Sequence, residues 1–223
     1  MSYLGCKGAS GAYQAVIAAM PAHDTYIDAY LGTGLIFNRK APALRSIGID
    51  IDEDTLSCFE TDKEIEIYNT DALKFLLNFD HKSNGRVFVY ADPPYLPSTR
   101  TSKNKYRHDY TEENHIDFLN TMNILSSRGI MVMISGYPSK LYDDNLKAWR
   151  TYEYQVMTRG GVRTEKLWMN YPEDSVYWAS YAGKDYQKRQ GIKRKAERWA
   201  KKYKALSNEE RVAVMAALLS ADS

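Results

Sequence analysis

The segment of this chain best suited to chemistry is Ala91-Asp92-Pro93-Pro94-Tyr95, which directly follows the apolar run Val87-Phe88-Val89-Tyr90. Two successive prolines cannot continue a strand's hydrogen-bond ladder, and their fixed φ stiffens the backbone where the strand ends. At a strand's carboxyl end they point carbonyls and flanking side chains into the crevice above a sheet. An amine on an aromatic ring is a poor nucleophile, because its lone pair is delocalised into the ring. Asp92 and a carbonyl of Pro93 or Pro94 can accept its two N–H groups and favour the pyramidal form that attacks a methyl carbon, while Tyr95 stacks on the ring. With a sulfonium as methyl donor, the step needs positioning and electrostatics rather than a metal or a covalent enzyme intermediate. A bare Pro-Pro would read as a structural turn; the complete tetrapeptide after an apolar strand favours the chemical reading.

A second constellation is Asp28-Ala29-Tyr30-Leu31-Gly32-Thr33-Gly34, also between an apolar strand and a helix. Its glycines permit close backbone approach by a ligand, although a lone pair of glycines more often makes a simple turn. The weight comes from order. After the glycine loop, Gly48-Ile49-Asp50-Ile51-Asp52 ends a second strand, Asn69-Thr70-Asp71-Ala72 ends a third, and the proline tetrapeptide ends a fourth. Asp50 is placed to accept two ribose hydroxyls, whereas Asp52 reads as a helix N-cap. Asp71 suits adenine contact or the capping of a helix that starts at Ala72.

These residues need a scaffold of alternating strands and helices. Short apolar runs predict strands at Thr25 to Tyr30, Arg45 to Asp50, Ile65 to Asn69, Arg86 to Ala91 and Gly129 to Ser135. Helices are predicted near 35 to 41, 53 to 61, 72 to 78 and 112 to 127, the last N-capped by Thr111 with Ile116, Leu119, Met122 and Leu125 on one face. An apolar helix from Ser10 to Met20 covers the sheet edge. Tyr152 to Thr158 and Val162 to Asn170 flank the turn Arg159-Gly160-Gly161 and predict a closing hairpin. The result is an α/β domain over residues 1 to 172 with a seven-stranded, mostly parallel sheet and an antiparallel final hairpin.

Residues 173 to 223 are expected to form a helical C-terminal extension of different composition. Within 184 to 204 there are ten Lys or Arg against two acidic residues, so this stretch carries +8 while the rest of the chain sums to −6. Such a split suits a protein of which only part meets a polyanion, although charge runs are also often solvated faces. Ser207-Asn208-Glu209-Glu210 is a capping box for a last helix, where Val212, Met215, Leu218 and Leu219 offer an apolar face for docking or homodimerisation. No run of 18 apolar residues is present and Met1 to Lys7 lacks a signal peptide's apolar core, so a cytoplasmic protein without membrane contact is expected. Cys6 and Cys58 have no metal-ligand spacing and read as small buried hydrophobes.

From residue 3 to about 171 the chain resembles the D12 class of adenine-specific DNA methyltransferases, the Dam-type enzymes. The opening Tyr3-Leu4-Gly5-Cys6-Lys7-Gly8 is similar to that family's donor-binding start, and the Asp28 to Gly34 loop, Asp50, Asp71 and Asp92 to Tyr95 follow in the family's order. The resemblance implies a Rossmann-like methyltransferase fold and S-adenosylmethionine as donor, released as S-adenosylhomocysteine. It places the donor against Tyr3, Lys7, Asp28, Tyr30, Gly32, Thr33, Gly34, Asp50, Ile51, Asp71 and Ala72. The target is N6 of an adenine flipped from DNA, since a stacked and paired amine is out of a sulfonium's reach.

One departure affects specificity. Dam-type members insert a target-recognition region ahead of the tetrapeptide, but only twenty residues separate Asp71 from Asp92. Base reading therefore shifts to other segments and is expected to be short or relaxed. Nucleic-acid contacts are expected from Arg100, Lys103, Lys105, Tyr106 and Arg107, just past the tetrapeptide, and from Lys193, Arg194, Lys201 and Lys202. An RNA adenine methyltransferase would use the same loop and tetrapeptide. Cytosine N4 methylation is chemically close, and a non-catalytic nucleic-acid-binding module could keep the fold. Cytosine C5 chemistry, which needs a thiolate nucleophile usually placed after proline, is disfavoured because Cys6 follows Gly5 and Cys58 follows Ser57.

Overall fold

The computed structural model describes residues 11–99, 107–158, 161–172 and 186–221. The chain divides into two compact units, Met1–Trp178 and Ala179–Ser223. In the first, five parallel strands, β1 (Thr25–Asp28), β2 (Arg45–Asp50), β3 (Glu66–Asn69), β4 (Val87–Ala91) and β5 (Met131–Gly136), are followed by a long hairpin of β6 (Arg150–Thr158) and β7 (Gly161–Met169). They form one seven-stranded sheet in the order β3-β2-β1-β4-β5-β7-β6, with β7 antiparallel to β5. This is the Rossmann-like arrangement expected from the sequence, down to the reversed final hairpin.

Period-2 side-chain alternation gives the central strands two covered faces. On one face Ile27, Ile47, Ile49, Val89, Ala91, Val132 and Ile134 pack in a single cluster with side chains of three helices, α4 (Ala72–Asn78), α5 (Glu112–Ser127) and α6 (Lys140–Asn145). On the other, Tyr26, Phe88 and Tyr90 are buried, and Tyr26 stacks near Phe37 of α2 (Leu35–Arg39). There too the Tyr171 hydroxyl donates to the Ala19 carbonyl at 2.8 Å, beside the end of α1 (Ala12–Ala18). Every residue of the edge strand β3 is exposed.

Several local readings are adjusted. In α5 the buried side chains are His115, Phe118, Leu119, Thr121, Met122 and Leu125, while Ile116 is 41% exposed. Leu119, Met122 and Leu125 thus face the core as expected, His115 takes the place expected for Ile116, and its hydrogen bond of 2.8 Å to Tyr142 accounts for a polar residue there. The helix predicted over 53 to 61 is only α3 (Glu53–Ser57), because the chain turns so that Phe59 packs against Phe37. Cys58 is exposed rather than buried, and Cys6 lies outside the described residues. The short helix α6, capped by Ser139, was not anticipated.

In the second unit, α7 (Tyr186–Lys204) and α8 (Asn208–Ala221) are helical as expected. The capping box is formed: Ser207 N–H donates to Glu210 Oε2 at 2.8 Å and Glu210 N–H to Ser207 Oγ at 3.3 Å. Among the described residues no helix is long and apolar enough to cross a membrane.

Candidate active site

Strands β1 and β4 are neighbours although β2 and β3 intervene in sequence, so the sheet's topological switch lies between them. In open α/β sheets the crevice outside the carboxyl ends at such a point is where ligands bind. Asp28 closes β1, Asp50 closes β2 and Asp92 follows β4, which brings three carboxylates to this one crevice.

The loop after β1 is shaped by two glycines in left-handed conformation, Gly32 at φ 53° and Gly34 at φ 63°. A Cβ on Gly34 would lie 2.1 Å from the Phe59 ring, so this position has neither the torsional freedom nor the room for a side chain. Gly32 N–H donates to Asp50 Oδ2 at 2.8 Å, and Asp52 N–H donates to Asp50 Oδ1 at 3.0 Å. Burial pushes the Asp50 carboxyl above its ordinary range, and those two backbone donors oppose the shift. The next residue, Ile51, is 49% exposed and offers an apolar surface at the mouth.

Asp28 is 2% exposed; its Oδ2 accepts the Tyr26 hydroxyl at 2.9 Å, and its buried Oδ1 has no well-formed hydrogen bond. Burial pushes its pKa up to about 8; the Tyr26 hydroxyl opposes the shift, and the nearby charges of Asp92 and Asp50 add to it. Tyr26 is itself covered by the Lys40 ammonium, 4.3 Å from the ring centre, whose pKa burial and then Lys63 lower to about 7. A buried and poorly satisfied acceptor, two glycines that admit close approach, the anchored Asp50 carboxylate and the apolar Ile51 together fit a cationic nucleoside such as S-adenosylmethionine.

Across the switch, Asp92 is held from the neighbouring strand. Ser135 Oγ, at the end of β5, donates to Asp92 Oδ1 at 2.9 Å and lies 3.0 Å from the Tyr90 hydroxyl. An ionised Asp92 only accepts, so the single Ser135 proton goes to it and Tyr90 donates to Ser135. Tyr90 and Ser135 are 1% and 0% exposed, which shields this relay from water. Pro93 is buried and Pro94 partly so. Tyr95 is 8% exposed with its ring 4.5 Å from Tyr137 in an edge arrangement, which sets a pair of rings beside the tetrapeptide.

The remaining expected residues are placed less directly. Tyr30 is half-buried and its hydroxyl meets that of Tyr110 at 3.0 Å, while Thr33 is exposed. Asp71 caps α4 by accepting from Lys74 N–H at 2.8 Å, and the Ala72 methyl belongs to the core cluster, so only backbone of Ala72 can meet a donor. Asp52 caps α3, accepting from Asp54 N–H at 3.1 Å. Arg107, expected to meet phosphate, bridges Asp52 at 2.9 Å and Asp54 at 2.5 Å; such an exposed pairing is weak. Tyr3, Lys7, Arg100, Lys103, Lys105 and Tyr106 lie outside the described residues. Ser135, Tyr90, Tyr26 and Tyr137 were missed. The available signal was a serine ending an apolar strand beside the tetrapeptide's strand.

Residues 61–163 match the family model described as D12 class N6 adenine-specific DNA methyltransferase. A curated relative, the type II methyltransferase M1.LlaDCHI of Lactococcus lactis subsp. cremoris, is 29% identical over 79 residues, which is 34% of this chain. The chain spans 28% of the length of that relative. Among solved structures, an rRNA methylase from Streptococcus thermophilus is 12% identical with a TM-score of 0.45, covering 70% of this chain and 93% of its own. A dimethyladenosine transferase from Plasmodium falciparum is 17% identical with a TM-score of 0.44, covering 70% and 60%.

Proposed function

We propose that this chain transfers the methyl group of S-adenosylmethionine to the exocyclic N6 of an adenine extruded from DNA. The observation that carries the reading is Asp92-Pro93-Pro94-Tyr95 at the carboxyl end of β4, with Asp92 held by Ser135 across the crevice from the Gly32–Gly34 loop and Asp50. The D12-class match over residues 61–163 supports adenine and DNA over the other amines and polymers. Asp28, Asp50 and Ile51 would hold the donor, with Tyr30 lining its loop; the donor supplies a methyl group activated on a sulfonium.

The chain's residues then position and polarise. Asp92 and a proline carbonyl accept the two N–H groups of the amine, concentrating its lone pair toward the methyl carbon. The N–C bond forms as the S–C bond breaks, and the displaced amine proton passes to Asp92 or water. The Tyr95–Tyr137 pair holds the base plane. The second unit would add affinity: α7 carries nine Lys or Arg against Glu197 alone over 19 residues, a span of roughly 28 Å at 1.5 Å per residue. Lys193, Arg194, Lys201 and Lys202 are exposed there for phosphate contact. On α8, Val212 and Met215 are 71% and 46% exposed and offer a face to a second copy; the side chains of Leu218 and Leu219 lie outside the described set.

The test is mass spectrometry of nucleosides from duplex DNA and from structured RNA, each incubated with the purified protein and the donor. N6-methyladenosine in the deoxy series is expected, and Asp92→Ala should abolish it while donor binding survives. Methylation of RNA alone would move the substrate class, and product formation at wild-type rate by Asp92→Ala would remove that carboxylate from the mechanism.

A further inference from the structure

The hairpin β6–β7 outruns the rest of the sheet. The last rung between β5 and β7 joins Gly136 to Lys166, so Gly161–Glu165 continues past the carboxyl end of β5, paired only with β6. This overshoot puts Arg163 beside the segment that follows β5, where its Nη1 donates to the Tyr137 hydroxyl at 3.0 Å. Tyr137 in turn packs on Tyr95. Between these parts and the 3₁₀ turn Pro97–Thr99 lies an open trough of about 400 Å³ lined by Ser98, Thr99, Tyr137, Pro138, Arg163 and Thr164.

The lining is one guanidinium, three aliphatic hydroxyls, a phenol and a proline, with no carboxylate. Glu165, the next residue on Arg163's side of β7, is buried and holds the Tyr154 hydroxyl at 2.9 Å. A cation ringed by hydroxyl donors suits a tetrahedral oxyanion, and the planar arginine fork matches its geometry. The trough is contiguous with the ring pair meant to hold the target base. A nucleotide whose base reaches Tyr95 must carry its sugar and phosphate out of the crevice, and this trough offers them a cation next to the ring pair.

We infer that this trough is a backbone subsite that takes a phosphodiester flanking the extruded adenine, with Arg163 as its cationic ligand. The inference rests on the proposed function and adds to it a site outside the tetrapeptide and the donor loop. It also assigns to the hairpin a share of the work that an inserted recognition region would do: phosphate contacts fix register and orientation without reading bases.

The experiment measures binding of an adenine-containing DNA duplex at several salt concentrations by the full chain, with Arg163→Gln and Arg163→Lys variants. It includes duplexes in which each phosphate flanking the adenine is replaced by an uncharged methylphosphonate. Arg163→Gln should lower the salt slope by about 0.9, the value of one phosphate contact, and Arg163→Lys should keep it. One methylphosphonate position should weaken wild-type binding yet leave Arg163→Gln unaffected, and donor affinity should be equal in all three proteins. Equal slopes for wild type and Arg163→Gln, or a wild-type duplex scan with no sensitive flanking phosphate, would overturn the subsite. The scan on wild type decides even if a variant misfolds. A wild type that methylates DNA while failing these tests loses the subsite alone; one that binds neither DNA nor RNA loses the proposed function as well.

Discussion

Replacing Asp28 by asparagine removes an ionisation that the fold suppresses. The folded pKa of Asp28 is about 8 against an ordinary value of 3.8, so between those limits the folded protein holds a proton that the unfolded chain releases. The sign follows from linkage: with more protons bound in the folded state, stability is fully present below pH 4 and falls as pH rises toward 8. The loss approaches about 1.4 kcal/mol per pH unit, or roughly 3 kcal/mol between pH 5 and 7. His23, lowered to about 4, and Lys40, lowered to about 7, contribute slopes of the opposite sign, so the difference between wild type and variant is the informative quantity. The substituted amide is neutral and isosteric with the carboxyl, and its oxygen can still accept the Tyr26 hydroxyl. Urea unfolding at pH 5, 6, 7 and 8 should therefore show a gap between the two proteins that grows in the variant's favour. A cationic donor reverses the balance. Calorimetry in buffers of different ionisation enthalpy should record close to one proton released per donor bound at pH 7 by wild type, and less by Asp28→Asn. Parallel stability curves and identical proton release would refute the assignment of a suppressed charge to Asp28.

Ser135→Ala cuts the relay to Asp92 and should reduce turnover about tenfold to a hundredfold, the usual penalty for a misplaced reacting group. Donor affinity should be unchanged and Ser135→Thr should recover most of the rate in steady-state assays; a loss confined to KM would argue against positioning. Gly34→Ala forces a side chain into a left-handed position and against the Phe59 ring, and should cost about 1–3 kcal/mol in urea unfolding. The added change Phe59→Ala should return part of that loss. For the tail, converting Lys193, Arg194, Lys201 and Lys202 to Gln should flatten the salt dependence of DNA binding by about four units at 0.9 per phosphate. Unchanged slope across the salt series would make α7 a solvated helix only.

What could be read from the sequence followed strong local signals. The bounds of β2 and the span of α4 and α5 came directly from apolar periodicity and N-caps, because Asp71 and Thr111 bond their helix ends as their positions demand. Tetrapeptide and glycine loop were recognisable because a strand's end is marked by prolines or glycines. What stayed hidden depended on partners distant in sequence. Ser135 acts on Asp92 from 43 residues away, and Arg163 reaches the Tyr137 hydroxyl from 26 residues away. The carboxylates that hold Arg107, Asp52 and Asp54, lie more than fifty residues upstream. Ile116 fits the apolar stripe by residue type alone, whereas the core position belongs to His115, whose partner Tyr142 lies 27 residues away.

The Tyr90–Ser135–Asp92 contact spans two strands, and this gives the protein a means of checking its own assembly. Ala91 pairs with Ile134, so Ser135 and Asp92 stand on the next rung and on one face. A slip of one residue between β4 and β5 would turn Ser135 to the opposite face and leave the carboxylate unguided. A chain that paired these strands wrongly could still collapse around its apolar residues, but it would have no means of holding Asp92. Activity in this fold thus certifies registry: only molecules whose central ladder is aligned would carry a working acceptor, and misaligned ones would be silent on nucleic acid rather than inaccurate.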